Sequence, residues 1–391
     1  MPLPAAAKGL FDELQIRDVR LANRIAVSPM CQYSSEDGLA TDWHLVHLGS
    51  RAIGGAALVV VEATAVLPEA RISPQDSGIW SDAHIEPFAR ITKFIHSQGS
   101  VAGIQLAHAG RKASTVRPWD GTGKLGVNEG GWSDVVAPSA IPFAPNYPQP
   151  AAVTTGRITA IVESFGTAAQ RALHAGFRVL EIHSAHGYFL HEFLSPLSNR
   201  RSDQYGGSFE NRTRIVREVV AKVRRFWPER LPLFIRISAT DWVEGGWDIE
   251  QAVELARTLR PLGVDLVDCS SGGNVADAKI PVAPGYQVPF AERIRRDAGV
   301  LTGAVGMITD ARQADEIVRG GQADLVLLAR EMLRDPYWPL HAAAQLGKPI
   351  SWPAQYLRAA PPGTAQRRPT EEIEPVQSPV QSVAGAAKST N

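Results

Sequence analysis

The chain has 391 residues, 44% of them hydrophobic, which is enough to bury a large core as one α/β barrel or two smaller domains. Forty basic residues balance forty acidic ones, so no global field would draw nucleic acid or an anionic membrane surface. Its two cysteines, Cys31 and Cys269, exclude a disulfide scaffold and a four-cysteine cluster within the chain, and no apolar run reaches the ~18 residues of a membrane span.

The opening MPLPAAAKGLFDEL lacks an apolar stretch long enough for a signal peptide, so a cytoplasmic protein is expected. Phe11 to Asn23 reads as a hairpin leading into the first buried strand. Strand and helix signals then alternate. Strands are predicted over Arg24–Ser28, Leu58–Ala63, Val101–Leu106, Val179–His183, Leu233–Ile237, Leu266–Cys269, Val300–Ala304 and Leu325–Leu328. Helices are predicted over 43–54, 82–98, 157–175, 209–226, 248–260, 287–297, 309–319 and 336–346. Most of these strands are apolar throughout, as parallel strands covered on both faces should be. Eight of each is the count of a (β/α)8 TIM barrel. An open doubly wound sheet would want GxGxxG after the first strand, where Ser28-Pro29-Met30-Cys31 stands instead.

The pattern is interrupted twice. After the third strand, about 108–154 is rich in Gly, Pro and Trp, and an excursion that long reads as a lid on a single domain spanning 1–360. Residues 361–391 have little to bury and are expected to be a disordered tail.

Chemistry in such a barrel sits at the carboxyl ends of the strands. The fourth strand ends in His183, His186 and Tyr188, three groups that can donate hydrogen bonds. Two imidazoles could aim N–H groups at one oxygen while the phenol holds a proton. Zinc ligation, with His191 or Glu192 as a third ligand, and a purely structural polar cluster stand beside that reading. The other strand ends favour a flavin. Gly303, Gly306 and Ala329-Arg330, after strands seven and eight, suit a phosphate. Gln105 suits the edge of a flavin pyrimidine, and Arg236 suits negative charge on a reduced ring. No carboxylate is well placed as a third zinc ligand. A non-flavin phosphate-binding barrel enzyme and a non-catalytic flavin carrier or sensor are the alternatives; the first would want a catalytic lysine or paired carboxylates at strand ends.

Several motifs resemble one family. SPMCQY at 28–33, VVVEATA ending at 65, HSAHGY at 183–188, HEFLSPLSNRRSDQYGGSFENR at 191–212, TGAVGMIT at 302–309 and PAQYLR at 353–358 resemble the old yellow enzymes, FMN-dependent ene-reductases, over about 8–358. The bacterial thermophilic-like subgroup is the nearest in pattern. The resemblance implies FMN lined by Ser28, Pro29, Met30 and Cys31, with Ala63, Gln105 and Arg236 at the ring and Gly306, Ala329 and Arg330 toward the phosphate. Ala329 departs from the family's usual glycine, but a backbone N–H survives the change. His183 and His186 would grip the substrate oxygen and Tyr188 would be the proton donor. Cys31 would tune the flavin, and Tyr33 would border the substrate. Arg358 would reach the active site of a neighbouring subunit in a homodimer or homotetramer. NADPH, or NADH, would be the reductant. The substrates would be α,β-unsaturated carbonyl compounds or nitroalkenes, with no resident metal.

Overall fold

The computed structural model describes residues 9–367. Eight parallel strands close a barrel in chain order. They are β1 (Ile25–Val27), β2 (Leu58–Ala65), β3 (Val101–Ala107), β4 (Val179–Ser184), β5 (Leu233–Ser238), β6 (Leu266–Ser270), β7 (Leu301–Ala304) and β8 (Leu325–Leu328), with β8 pairing back onto β1. Every residue of these strands is buried, which explains why they read as apolar runs rather than alternating ones. The barrel helices are α1 (Asp42–Ile53), α2 (Ile85–Ser97), α3 (Thr155–His174), α4 (Phe209–Phe226), α5 (Ile249–Leu259), α6 (Val288–Ala298), α7 (Ala311–Arg319) and α8 (Trp338–Gln345). Strand and helix expectations hold to within a few residues.

Local chemistry sets where the helices begin. The side chains of Thr154, Ser208, Asp248 and Asp310 accept hydrogen bonds from backbone N–H groups of the first turns of α3, α4, α5 and α7. Helix α7 starts at Ala311 rather than 309 because Asp310 is its cap. Helices α3 and α4 approach closely at Gly166, where a β-carbon would meet Phe226 Cε2 at 2.8 Å.

The N-terminal hairpin, Leu14–Ile16 with Val19–Leu21, lies across the amino ends of the strands. Arg17 Nε donates to Asp265 Oδ1 at 2.7 Å, just before β6, and the Asp18 N–H donates to the Arg230 carbonyl at 3.0 Å, just before β5. That end of the barrel is therefore covered, and the carboxyl end carries the loops. The excursion at 108–154 returns to the body through its short pair Val136–Ala137 with Ala151–Ala152. Arg157 donates to Asp134 Oδ1 at 2.7 Å, and Arg201 to the carbonyls of Pro138 and Val153 at 3.0 and 2.6 Å. Ordered chain runs past the boundary expected at 360, since Ala365–Arg367 pairs with Ile350–Trp352. The rest of the expected tail, 368–391, lies outside the described residues. No described helix is long and apolar enough to cross a membrane.

Phe165, fully buried on α3, is part of the main core. Phe165→Ala is expected to lower unfolding free energy by about 3–5 kcal/mol in urea denaturation, and a loss below ~1 kcal/mol would show that this layer is not tightly packed.

Candidate active site

The carboxyl end of β4 brings the three polar rings together. The His183 and His186 rings meet edge to face with centroids 5.2 Å apart, and His183 meets Tyr188 in the same way at 5.0 Å. His183 is buried, while His186 and Tyr188 are partly open to the barrel mouth. Burial, and then the Arg236 charge, hold both imidazoles well below the usual histidine range, so both are neutral at neutral pH. Burial pushes the Tyr188 phenol well above its usual value, and it keeps its proton. His183 Nδ1 accepts the Ala185 N–H at 3.3 Å, which leaves the Nε2–H as the donor.

The loop that displays these rings is strained and strongly braced. His186 has a left-handed backbone with φ of 60°. Its N–H donates to Ser238 Oγ at 2.9 Å, and its Nε2 lies 2.7 Å from Ser270 Oγ. Gly187 follows at φ 71°, and a β-carbon there would collide with the Gly273 carbonyl in the loop after β6. Only glycine fits that approach. Lys112 bridges the same two loops, with Nζ donating to the His186 carbonyl at 2.7 Å and to the Gly273 carbonyl. Its Nζ also lies 3.9 Å from the Phe143 ring centroid. Burial, then Arg111, lowers the Lys112 pKa to about 7. Beneath the loop, the Gly187 N–H donates to His191 Nδ1 at 2.9 Å, and His191 Nε2 lies 3.0 Å from Asp241 Oδ1. Asp241 also accepts from Ser195 Oγ at 2.5 Å and the Trp247 N–H at 3.0 Å.

His191 and Glu192, the two side chains weighed as a third zinc ligand, are both engaged in bracing. Glu192 Oε1 accepts the Arg111 N–H at 2.8 Å. Among the described residues no group of three His, Cys, Asp or Glu is arranged to hold a metal ion.

A charged layer lies level with the rings and just below them. Arg236 on β5 stands in register with His183 on β4 and Asp268 on β6. Its Nε lies 2.9 Å from Asp268 Oδ2, and its Nη2 donates to Ser28 Oγ at 3.1 Å. Gln105 Nε2 donates to Glu181 Oε1 at 2.8 Å. Ala63 stands in register with Gln105, beyond a bulge at Glu62 that turns that carboxylate to accept the Gln32 N–H and contact His44. Burial pushes both Glu181 and Asp268 upward, their mutual repulsion adds to the rise at Glu181, and Arg236 opposes it. One guanidinium facing two buried carboxyls is neutralised when the pair shares one proton.

The remaining predicted residues line the mouth. Gly306, at φ 123°, and Ala329-Arg330 follow β7 and β8. Burial raises the Tyr286 phenol, and the charges of Arg330 and Arg236 both oppose that rise. Cys31, Tyr33 and Tyr188 pack with Trp132 against Ile72, Ala109, Ala113 and Val135. Burial, then Asp76 and Glu62, raises the Cys31 thiol well above its usual range. Tyr33 meets Trp119 of the excursion edge to face at 5.8 Å. Arg358 is exposed on the turn Ala354–Ala359, at the far end of the chain. Pro29 and Met30 are partly buried beside Ser28.

Sequence reasoning missed Lys112, Asp76, the Glu181–Asp268 pair and the His191–Asp241 brace. The two carboxyls were hidden because each lies inside an apolar strand, VLEIHS and LVDCS, where a single acid is easily passed over. A buried acid in such a strand must be paired, which was a usable signal.

A closed parallel barrel whose mouth carries an arginine, a glutamine and backbone turns opposite neutral histidines and a protonated tyrosine defines a flavin-dependent oxidoreductase. Comparison with known proteins agrees. A family model described as NADH:flavin oxidoreductase / NADH oxidase matches residues 9–348. The NADPH dehydrogenase of Bacillus subtilis (strain 168) is 50% identical over 354 residues, 90% of this chain and 99% of that enzyme. The NADPH dehydrogenase of Halalkalibacterium halodurans is 49% identical over 352 residues, 90% of this chain and 98% of that enzyme. The solved structure of morphinone reductase superposes with a TM-score of 0.73 at 29% identity, covering 88% of this chain and 91% of that one. The chain belongs to the NADH:flavin oxidoreductase / NADH oxidase family, the old yellow enzymes, and is an NAD(P)H-dependent oxidoreductase with FMN as cofactor.

Asp241 gives the brace a pH signature. Burial would raise it, but His191, Ser195 and the Trp247 N–H together bring it from 3.8 to about 2. A depressed carboxyl stabilises the fold above its unfolded pKa and loses that stabilisation as pH falls toward its folded one. Wild type should therefore lose on the order of 2 kcal/mol between pH about 4 and about 2 from this group alone. Asp241→Asn should show a flatter acid limb in chemical denaturation, and superimposable acid limbs would sink the assignment.

Proposed function

We propose that the enzyme is an ene-reductase, reducing the double bond of α,β-unsaturated carbonyl compounds or nitroalkenes with NADPH as the preferred reductant and NADH as a second one. The observation that carries this reading is the cluster of two neutral imidazoles and a protonated phenol at the barrel mouth. The likeness to two NADPH dehydrogenases supports NADPH.

The residues present fit FMN. Arg236 is a cation beside a carboxyl pair that shares a proton, and it suits the electron-rich edge of the ring. Gln105 offers donors and an acceptor for the pyrimidine edge. Ser28, Pro29, Met30, Cys31 and Ala63 would line the ring, and the backbone at Gly306, Ala329 and Arg330 would hold the phosphate. When bound there, FMN would supply the hydride chemistry that links nicotinamide oxidation to reduction of the substrate double bond.

The chain's own residues do the rest. His183 Nε2–H donates to the substrate oxygen. His186 would present Nδ1–H to that same oxygen, in the tautomer whose Nε2 accepts from the Ser270 hydroxyl 2.7 Å away. Two fixed donors stabilise the negative charge that gathers on this oxygen as the double bond is attacked. Tyr188 gives its proton to the α-carbon. Tyr33, edge-on to Trp119, borders the substrate, and the excursion at 108–154 acts as a lid that excludes water. A second copy of the chain, in a homodimer or homotetramer, would bring Arg358 to the mouth of its neighbour.

His183→Ala should lower turnover of 2-cyclohexenone by about 10²–10³-fold and weaken phenolic ligands that mimic the enolate; undiminished phenol affinity would remove His183 from the donor pair. Tyr188→Phe should leave anaerobic bleaching by NADPH intact and slow return of the flavin colour with enone by about 10²-fold or more. Slowed bleaching with normal return of colour would instead put Tyr188 in the reductive step.

A further inference from the structure

Beside Tyr188 lies a small cavity lined by Ala63, Ala65, Ala70, Ile72, Ala107, Ala109, Tyr188 and one charged-type residue, Asp76. It has room for about one water molecule. Asp76 is 3% exposed. Its Oδ2 accepts the Ile72 N–H at 2.6 Å, while Oδ1 is buried with no protein partner. A buried polar oxygen without a partner calls for a function or an ordered water. The neighbouring titratable and charged groups are Glu62, Cys31, Tyr33, Tyr188 and Arg71. Burial, with a smaller contribution from Glu62, favours the neutral acid and outweighs the opposing backbone N–H groups and Arg71. Arg71 is itself held between the rings of Trp80 and Trp132, at 5.1 and 5.3 Å from their centroids.

From this geometry we infer that Asp76 is a proton store for Tyr188, refilling the phenol through a water in the shared cavity. The inference rests on the proposed role of Tyr188 as proton donor. Asp76 and Tyr188 both line this cavity, so a single water in it is the shortest link between them. The proton balance is complete. The Tyr188 O–H bond breaks as the α-carbon C–H bond forms. The Asp76 O–H bond then breaks, the water gains that proton and gives one of its own to Tyr188 Oη, and the Asp76 carboxylate takes a proton from solvent. No electrons move in these steps, and their sum is the one solvent proton that hydride reduction of a double bond consumes. Transfer from a carboxylic acid to a phenolate runs downhill, because even a raised carboxyl is the stronger acid.

Asp76→Asn keeps the shape and the acceptor for Ile72 but removes the proton. In stopped flow, FMN-loaded Asp76→Asn enzyme reduced with one equivalent of NADPH should reoxidise with 2-cyclohexenone at the wild-type rate, since Tyr188 starts protonated. With excess NADPH and enone, one equivalent of product should form in a burst, followed by steady turnover lowered about 10²-fold, and Asp76→Glu should recover part of that loss. Single-turnover and steady rates that fall together would make Asp76 merely structural and overturn the proposal, as would unchanged steady turnover. A second readout needs no catalysis. The infrared difference between FMN-free wild type and Asp76→Asn at neutral pH should show the C=O stretch of one protonated carboxylic acid beyond that of the Glu181–Asp268 pair, and a difference spectrum without that band would overturn the proposal. If wild type bleaches with NADPH but no enone restores it, the ene-reductase reading has failed, whereas a burst missing only from the variant comparison counts against Asp76 alone.

Discussion

The site depends on one buried ion pair. Arg236 and Asp268 sit side by side on β5 and β6, inside a barrel whose other walls are mostly aliphatic. Taking two charges out of water costs more than their attraction returns unless further hydrogen bonds complete them, so such a pair is poor evidence for stability and better evidence for use. Here Ser28 accepts from Arg236 on one side, Glu181 with its Gln105 partner lies near on the other, and neither Asp268 oxygen has a hydrogen-bond partner. These residues, from β3, β4, β5, β6 and the position just after β1, form one polar layer. The guanidinium then acts upward as well. After burial, it is the strongest influence keeping His183 and His186 uncharged. A neutral imidazole has one donor and one acceptor, so a second hydrogen bond can fix which nitrogen faces the substrate. The Ala185 N–H does this for His183, while His186 Nε2 has the Ser270 hydroxyl as its neighbour.

Above that layer the geometry is held by backbone rather than by side-chain bulk. His186 in a left-handed conformation and Gly187 against the Gly273 carbonyl are costly locally and persist because the surroundings over-determine them. Lys112 ties both loops by their carbonyls, and His191 holds the Gly187 N–H from below. The ring cluster is thus positioned by the ends of β4 and β6 together. The three rings sit at the end of a barrel strand, and the long excursion contributes Trp119 against Tyr33.

Much of this was legible in the sequence, for physical reasons that differ by element. Parallel strands buried on both faces betray themselves as short apolar runs, and Leu325–Leu328 was placed to the residue. Helix starts in the structure fall just after caps such as Ser208 and Asp248. The His183-Ser184-Ala185-His186-Gly187-Tyr188 stretch stood out because three polar rings at a strand end serve a core badly. What stayed hidden was pairing across the barrel. Nothing local in LVDCS says that Asp268 meets Arg236, 32 residues earlier in the chain. Nothing in SPQDSGIW marks Asp76 as a buried acid beside Tyr188. These contacts arise from closure of the sheet, which no single-strand pattern encodes. The bulge at Glu62 is similar, since it needs the register of β3 to be seen.

The account makes the barrel mouth a flavin site in which protein groups hold an oxygen and supply a proton while the cofactor moves hydride. Its most direct test is the visible absorption spectrum of the FMN-loaded protein, taken first alone, then after NADPH without oxygen, then after 2-cyclohexenone. The account predicts an oxidised flavin spectrum that bleaches with NADPH and returns on adding the enone. A flavin that bleaches and stays bleached with every conjugated enone or nitroalkene tried would contradict the account.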